Sequence, residues 1–311
     1  LAGMLVTGPR TRVSARYGHG VVGLAIQRRL FDQWLLDHAV KAGARFEGGL
    51  TARRPLIDDS QGGSIVRGLV VSPRQRAGTE MRLPAIMTLA ADGRRSVIAR
   101  AMGLGTSRTA PRRWAFGVYA SEVGEMTDLG EMHIRGGWYA GLAPMPASLV
   151  NVCVVTGARP QGRTPAGVIR HAIAREPRLQ ARLADARFES DVRVLGPLAA
   201  DVRSPGAPGL LLAGDAGGFV DPMTGDGLHL AMQSGVLAAQ EALNTLESGD
   251  VAGAAGRLAR SRRDLFGAKL RFNRWLRRLV ESPVAVDVAG LGAAVAPCLV
   301  RYAVHYAGDA A

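Results

Sequence analysis

The sequence predicts a mixed α/β (α+β) fold in which an open sheet with a ligand site at its strand ends is interleaved with an antiparallel sheet, followed by a helical C-terminus. Three observations carry that expectation. Leu210 to Ala213 is a short, buried-looking strand that runs into Gly214-Asp215, and Thr224-Gly225-Asp226-Gly227 then opens a long helical pattern. Arg112 to Gly157 is rich in strand formers, with Trp114 to Tyr119, His133 to Ala143 and Leu149 to Thr156 separated by Gly/Pro turns, as in an antiparallel sheet. The C-terminal third is helical in spacing and basic.

Taken in order, Gly18 to Ile26 is an apolar run of strand character, and Arg28 to Ala42 places Leu30, Trp34, Leu35, His38 and Ala39 on one helical face until Gly43 stops it. Short strands follow around Phe46 to Ala52, from Ile65 to Val71 and from Met81 to Ala91. Asp92-Gly93 ends the last of these, and Ser96 to Met102 reads as a helix. Pro165 to Leu183 has helical spacing, and a strand is expected near Val192 to Leu195. No internal repeat or low-complexity linker is visible, so interleaved rather than consecutive domains are expected.

Composition narrows the class. The chain has 311 residues, 47% hydrophobic and 21% charged, enough to bury one large or two ordinary cores, which excludes a disordered chain. Lys and Arg total 39 against 26 Asp and Glu, a net charge of +13, yet Lys occurs only at 41 and 269 and the arginines are scattered. Without a helix-turn-helix or aromatic RNA motif this charge reads as composition, and no nucleic-acid partner is expected. Cys153 and Cys298 are far apart and have no Cys or His at ligand spacing, so no disulfide scaffold or metal site is expected. Leu1 to Gly8 is too short for a signal h-region. The most apolar stretch, Val284 to Val304, is interrupted by Asp287, Pro297 and Arg301 and falls short of the roughly 20 residues that span a bilayer. A cytoplasmic location is the expectation.

The segment Gly209 to Gly235 carries the chemistry. An Asp at a strand end suits a sugar or polyol hydroxyl, because a carboxylate accepts charge-assisted hydrogen bonds. Glycines let backbone amides approach a flat ring, and the helix N-terminus favours negative charge. A flavin meets both requirements through its ribityl hydroxyls and the charge on its reduced ring. A Gly-rich strand-to-helix turn without a ligand would read the same way. In this segment Asp215 is expected to be buried at its strand end, and Asp226 exposed at the helix start.

Two further segments precede it in order: Arg28-Arg29-Leu30-Phe31-Asp32-Gln33-Trp34-Leu35, and Ala91-Asp92-Gly93-Arg94-Arg95-Ser96-Val97-Ile98-Ala99-Arg100. Together the three resemble the FAD-dependent oxidoreductases of the geranylgeranyl reductase type, relatives of the para-hydroxybenzoate hydroxylase-like flavoproteins. The resemblance implies that Arg28 lies against FAD, and that Asp92 and Gly93 contact the cofactor and bear on nicotinamide nucleotide binding. It implies that Asp215, after Gly214, holds the ribityl chain, and that Pro222, Gly225, Asp226, Gly227 and Leu228 lie beside the isoalloxazine. Here Asp226 replaces a family Glu and Leu228 an Ile. The implied architecture is a Rossmann-like FAD-binding domain from residues 1–104 and 197–250, an antiparallel substrate domain from 105–196, and a helical region from 251–311.

The sequence also departs from that family. A strand followed by G-x-G-x-x-G should precede these motifs, and the chain is expected to start after that ADP-binding unit. Gly18-His19-Gly20-Val21-Val22-Gly23 matches the expression, with Val13 to Tyr17 as strand, a helix from Leu24 and Glu47 as ribose acid. Against it, the strand carries Ser14 and Arg16, and the Arg28 motif places the region elsewhere in the family fold. In the sheet, the family's Y-x-W-x-F-P becomes Tyr139-Ala140-Gly141-Leu142-Ala143-Pro144, so Gly and Ala replace two bulky walls. Trp138 and Tyr139 either line a pocket for an apolar or aromatic substrate or belong to the core.

The expected function is FAD-dependent oxidation-reduction with NAD(P)H as co-substrate, either double-bond reduction or, as an alternative, flavin-dependent hydroxylation by a monooxygenase. A non-catalytic remnant is the second alternative. No side chain is assigned as catalytic, since the cofactor carries the chemistry. His229 is either a proton donor or a packed helix residue, and Cys153 is expected to be a buried small hydrophobe. Lys269, Arg271, Arg274, Arg277 and Arg278, interleaved with Phe266, Leu270, Trp275, Leu276 and Leu279, form a basic amphipathic helix that either rests on an anionic membrane or packs one face on the protein.

Overall fold

The computed structural model describes residues 1–18, 20–60, 63–74, 78–105, 113–198, 201–218, 225–282, 284–285 and 287–288. The elements in chain order are β1 (Gly3–Thr7), β2 (Arg12–Arg16), α1 (Arg28–Lys41), β3 (Leu50–Asp58), β4 (Ile65–Pro73), β5 (Met81–Pro84), β6 (Thr88–Ala90), α2 (Val97–Ala101), β7 (Trp114–Ser121), β8 (Leu129–Arg135), β9 (Trp138–Pro144) and β10 (Val150–Thr156). There follow α3 (Pro165–Ala174), α4 (Pro177–Arg182), β11 (Arg187–Phe188), β12 (Arg193–Leu195), β13 (Gly206–Ala207), β14 (Leu210–Leu212), a 3-10 turn at Gly214–Gly217, α5 (Gly227–Ser248) and α6 (Ala254–Glu281). The chain divides into two compact units. One holds Leu1–Ala42, Pro111–Leu198 and Arg274–Ala311, and the other Gly43–Ala110 and Ala199–Asn273.

The first unit is built on a sheet ordered β11-β7-β10-β9-β8-β1-β2, with β12 also paired to β7. All pairs are antiparallel except β1 with β8. Alternation in β7, β9 and β10 turns Phe116, Val118, Leu142, Val152 and Val154 to one face, where Ile169 of α3 and Leu179 of α4 cover them. The expected single strand from His133 to Ala143 is instead a hairpin, because Gly136-Gly137 turns the chain, with Gly137 at φ +79°. Cys153 faces away from Val152 and Val154 and is half-buried, not the buried hydrophobe expected.

Gly18 to Ile26 does not form the expected strand. Its described residues have no regular structure, and Gly23 instead exchanges backbone hydrogen bonds with Leu1 at 2.7 and 2.8 Å. This also removes the fingerprint reading of Gly18 to Gly23. The strand before it, β2, is antiparallel to β1, and the next helix begins at Arg28 rather than Leu24. The helix α1 forms as predicted, but none of its residues is buried: Leu30 is 57% and Trp34 55% exposed.

A polar network crosses the seam between β1 and β8. The Nε2–H of His133 donates to Glu131 Oε2 at 3.0 Å, its Nδ1 lies 2.9 Å from Thr7 Oγ1, and Arg182 of α4 holds Glu131 bidentately at 2.6 and 2.8 Å. Arg135 donates to Glu176 Oε2 at 2.6 Å and to the Thr7 carbonyl at 3.0 Å. Burial alone would raise the Glu131 pKa, but the His133 hydrogen bond and the Arg182 pair bring it down to about 2.

The second unit has two three-stranded sheets, β3-β4-β5 and β13-β14-β6. The expected strand from Met81 to Ala91 is broken after Pro84, so β5 pairs with β4 while β6 runs parallel to β14. Leu210, Leu211 and Leu212 of β14 are fully buried. Leu210 and Leu212 pack with Val66, Ala90 and Ile98, whereas Leu211 packs with Ala238 and Ala242 of α5 and with Ala254 and Leu258 of α6. A strand covered on both faces must be apolar at every position, which is why three leucines stand in a row. Among the described residues no helix is long and apolar enough to cross a membrane.

Candidate functional site

The parallel pairing Leu210↔Thr88, Leu211↔Leu89 and Leu212↔Ala90, extended by the Ala213 N–H to Ala90 carbonyl bond at 2.9 Å, sends β6 and β14 out of their sheet at the same end. Two of the motifs read from the sequence therefore lie side by side: Asp92-Gly93 after β6 and Gly214-Asp215 after β14. Carboxyl ends of neighbouring parallel strands are where open sheets bind ligands.

Each motif residue has a local reason for its place. Gly93 at φ +80° and Gly214 at φ +57° turn the chain off the strand ends in a conformation that favours glycine. Asp92 Oδ2 accepts the Val97 N–H at 2.8 Å and Ser96 Oγ the Ala99 N–H at 2.9 Å, so this loop caps α2. Gly214 donates its N–H to Ser234 Oγ of α5 at 3.1 Å, which holds the turn that presents Asp215, a half-buried residue. Arg94 lies in the field of Asp215. Its pKa is lowered, first by burial and then by Arg95, with Asp215 opposing both.

Asp226 corrects an expectation. It precedes α5 but is not exposed. Its side chain retains 10% exposure, is 3.4 Å from Lys269 Nζ, and accepts from Asn273 Nδ2 at 3.2 Å. Drawn to α6, it makes no side-chain cap on its own helix. Lys269, expected on a solvated or lipid-facing stripe, is 12% exposed and turned inward. Gly225 at φ +74°, Gly227, Leu228 and His229 lead into and open α5, while Pro222 lies outside the described residues.

The remaining residues lie in the first unit. Arg28 is exposed at the start of α1 and pairs with Asp32 at 3.0 Å. Trp138 and Tyr139, consecutive in β9, point to opposite faces and cannot line one pocket together. Trp138 packs against the sheet-helix core, while buried Tyr139 lies under the Arg113 guanidinium at 6.0 Å. Sequence reasoning missed Ser234 and Arg262, which hold the Gly214–Gly217 turn. Ser234 sat in the quoted segment without a motif role, and Arg262 is one arginine among many in α6.

The strand-end residues fit a flavin dinucleotide. Asp215 brings a carboxylate of the kind that accepts from ribityl hydroxyls, and among the described residues a Cβ on Gly93 or Gly225 would meet nothing within 4 Å, so no described residue covers the backbone there. Comparison with known proteins agrees. A family model described as FAD binding domain matches residues 5–253. Digeranylgeranylglycerophospholipid reductase 2 of Methanopyrus kandleri is 30% identical over 236 residues, covering 73% of this chain and 57% of that protein. The Methanosarcina mazei digeranylgeranylglycerophospholipid reductase is 26% identical over 250 residues, covering 78% and 59%. The chain thus spans under two thirds of the length of these curated relatives. Among solved structures, a geranylgeranyl bacteriochlorophyll reductase-like protein from Thermoplasma acidophilum aligns at TM-score 0.77 and 21% identity over 92% of this chain and 73% of that one. The flavin-dependent brominase Bmp2 aligns at 0.78 and 16%, over 99% and 76%. These two likenesses establish the fold. With the family match extending through β6, β14 and the start of α5, the chain belongs to the FAD-binding domain family.

Proposed function

We propose that this chain is part of an FAD-dependent oxidoreductase of the geranylgeranyl reductase type, reducing a double bond in an apolar or aromatic small molecule with electrons from NAD(P)H. The observation that carries the reading is the juxtaposition of Asp92-Gly93 and Gly214-Asp215 at the ends of β6 and β14. FAD, when bound, supplies the hydride chemistry. The chain's own part is binding and orientation. Asp215 accepts hydrogen bonds from the ribityl hydroxyls, Gly93 and Gly225 let the backbone approach the ring, and the N-terminus of α5 offers free amides and a positive dipole end where the reduced ring is negative.

The lipid reductase relatives support an apolar substrate. In β9, Gly141 and Ala143 share a face with Tyr139 and leave it less bulky than the family's aromatic pattern, which favours a substrate other than a plain prenyl chain. That departure keeps a monooxygenase as the second reading. Peripheral membrane contact through α6 would rest on exposed Arg271, Arg274 and Trp275, without Lys269. Turnover under strict anaerobiosis tests the reading: a reductase consumes substrate and NAD(P)H without oxygen, whereas a monooxygenase forms no product.

A further inference from the structure

Asn273 of α6 belongs to none of the motifs, yet its amide lies against the start of α5 with one end of its bonding unmet. The residue is 3% exposed. Its Nδ2 donates to Asp226 Oδ2 at 3.2 Å, and the same oxygen lies 3.4 Å from Nζ of Lys269, one turn earlier on α6. The other end of the amide, Oδ1, is buried and has no hydrogen-bond partner. Asp226, Lys269 and Asn273 all belong to the second unit.

The carboxylate of Asp226 fixes which end of the amide is which. Turned over, the amide would set Oδ1 against Asp226 Oδ2, two acceptors with no proton between them. The unmet atom is therefore an acceptor, and a buried acceptor without a donor is costly enough to call for one from a bound molecule. The helix beside it offers the opposite kind of group. Asp226 stands at the N-cap position of α5 but makes no side-chain cap, which leaves the first-turn N–H groups without that acceptor. A ligand that suits both brings an N–H for Asn273 and carbonyl oxygens for the α5 amides next to it. Of the parts of FAD, the imide edge of the isoalloxazine has that pattern, because its N3–H lies between two carbonyls, whereas the adenine amino group lies beside ring nitrogens.

We propose that Asn273 Oδ1 accepts the imide N–H of the flavin ring, with Asp226 as the positioning residue that holds the amide in its accepting orientation. The proposal rests on the FAD reading and deepens it. It adds a contact from α6 that the motifs do not contain, and a selectivity for flavins that carry a proton at N3.

The test titrates the 311-residue chain and its Asn273→Leu and Asn273→Ala variants with riboflavin, with 3-deazariboflavin, which has a C–H of the same size in place of N3–H, and with FAD. Melting of the unliganded proteins shows which variants are folded. The unsubstituted chain should bind riboflavin about tenfold or more tightly than the deaza analogue, and either folded variant should bring that ratio to within about twofold of unity. Equal affinities for the two flavins in the unsubstituted chain would leave the Asn273 oxygen to solvent and overturn the proposal. A preference that persists in the variants would give the N–H to another acceptor and overturn it too. Both outcomes leave the FAD reading standing. Binding of neither riboflavin nor FAD by the unsubstituted chain would overturn that reading, and the proposal with it.

Discussion

Asp215 and Asp226 come from one glycine-rich segment, and their surroundings differ: the first lies on the turn after β14, the second against α6. Asp215 lies on the turn that Ser234 and Arg262 hold. Asp226 neutralises Lys269 in a nearly buried pair. Asp215→Ala should therefore weaken FAD binding by about 1.5 to 3 kcal/mol while leaving the unfolding midpoint nearly unchanged. Asp226→Ala should leave Lys269 buried without its carboxylate and lower stability by about 3 kcal/mol. Flavin dissociation constants and urea midpoints for the two variants check this division, and equal effects on both quantities would refute it. Glu131 contributes to the pH dependence of the first unit. Its folded pKa is about 2 against an ordinary 4.5, so its contribution is full above 4.5 and is lost as pH falls from there to about 2. Glu131→Gln should cost about 3 kcal/mol at neutral pH and flatten the acid side of the stability profile, as read by denaturant midpoints between pH 2 and 7.

Among the elements, β14 was the most legible. Three consecutive leucines before Gly-Asp can be little other than a strand buried on both faces, and the structure confirms it at full burial. The strands β7 and β10 and the antiparallel character of their sheet were legible through strand-forming residues and turns, whereas the β8–β9 turn at Gly136-Gly137 lay hidden inside an apparently continuous strand. Gly18 to Ile26 misled because an apolar run states only that a segment avoids water. Strand formation also needs a neighbour, and Leu1 satisfies Gly23 instead. The joint between β4 and β14 offers a direct test. Gly209 sits at φ +76° and a Cβ there would be 2.0 Å from the Val66 carbonyl oxygen, while a Cβ on Gly225 at φ +74° would meet nothing within 4 Å among the described residues. Gly209→Ala should cost on the order of 3 kcal/mol and Gly225→Ala about 1 kcal/mol, measured by chemical denaturation. Equal costs would mean that backbone conformation alone, without the β4–β14 contact, sets the penalty.

Across the whole molecule, the sequence placed the motifs at strand ends but not the charges around them. Asp92-Gly93 and Gly214-Asp215 could each be placed at the end of an apolar strand from sequence, whereas their adjacency follows from the parallel pairing of β6 and β14 in the structure. The charges around them could not be paired, because Lys269, Asn273 and Arg262 lie on a helix whose many arginines give no sign of which turn inward. The central claim is that these two strand ends form the flavin seat. Backbone hydrogen exchange of the 311-residue chain with and without saturating FAD tests it most directly. The account predicts slowed exchange concentrated at residues 92–96 and 214–218. Slowed exchange confined to other segments, such as residues 18–23, or no change at the two strand ends, would contradict it.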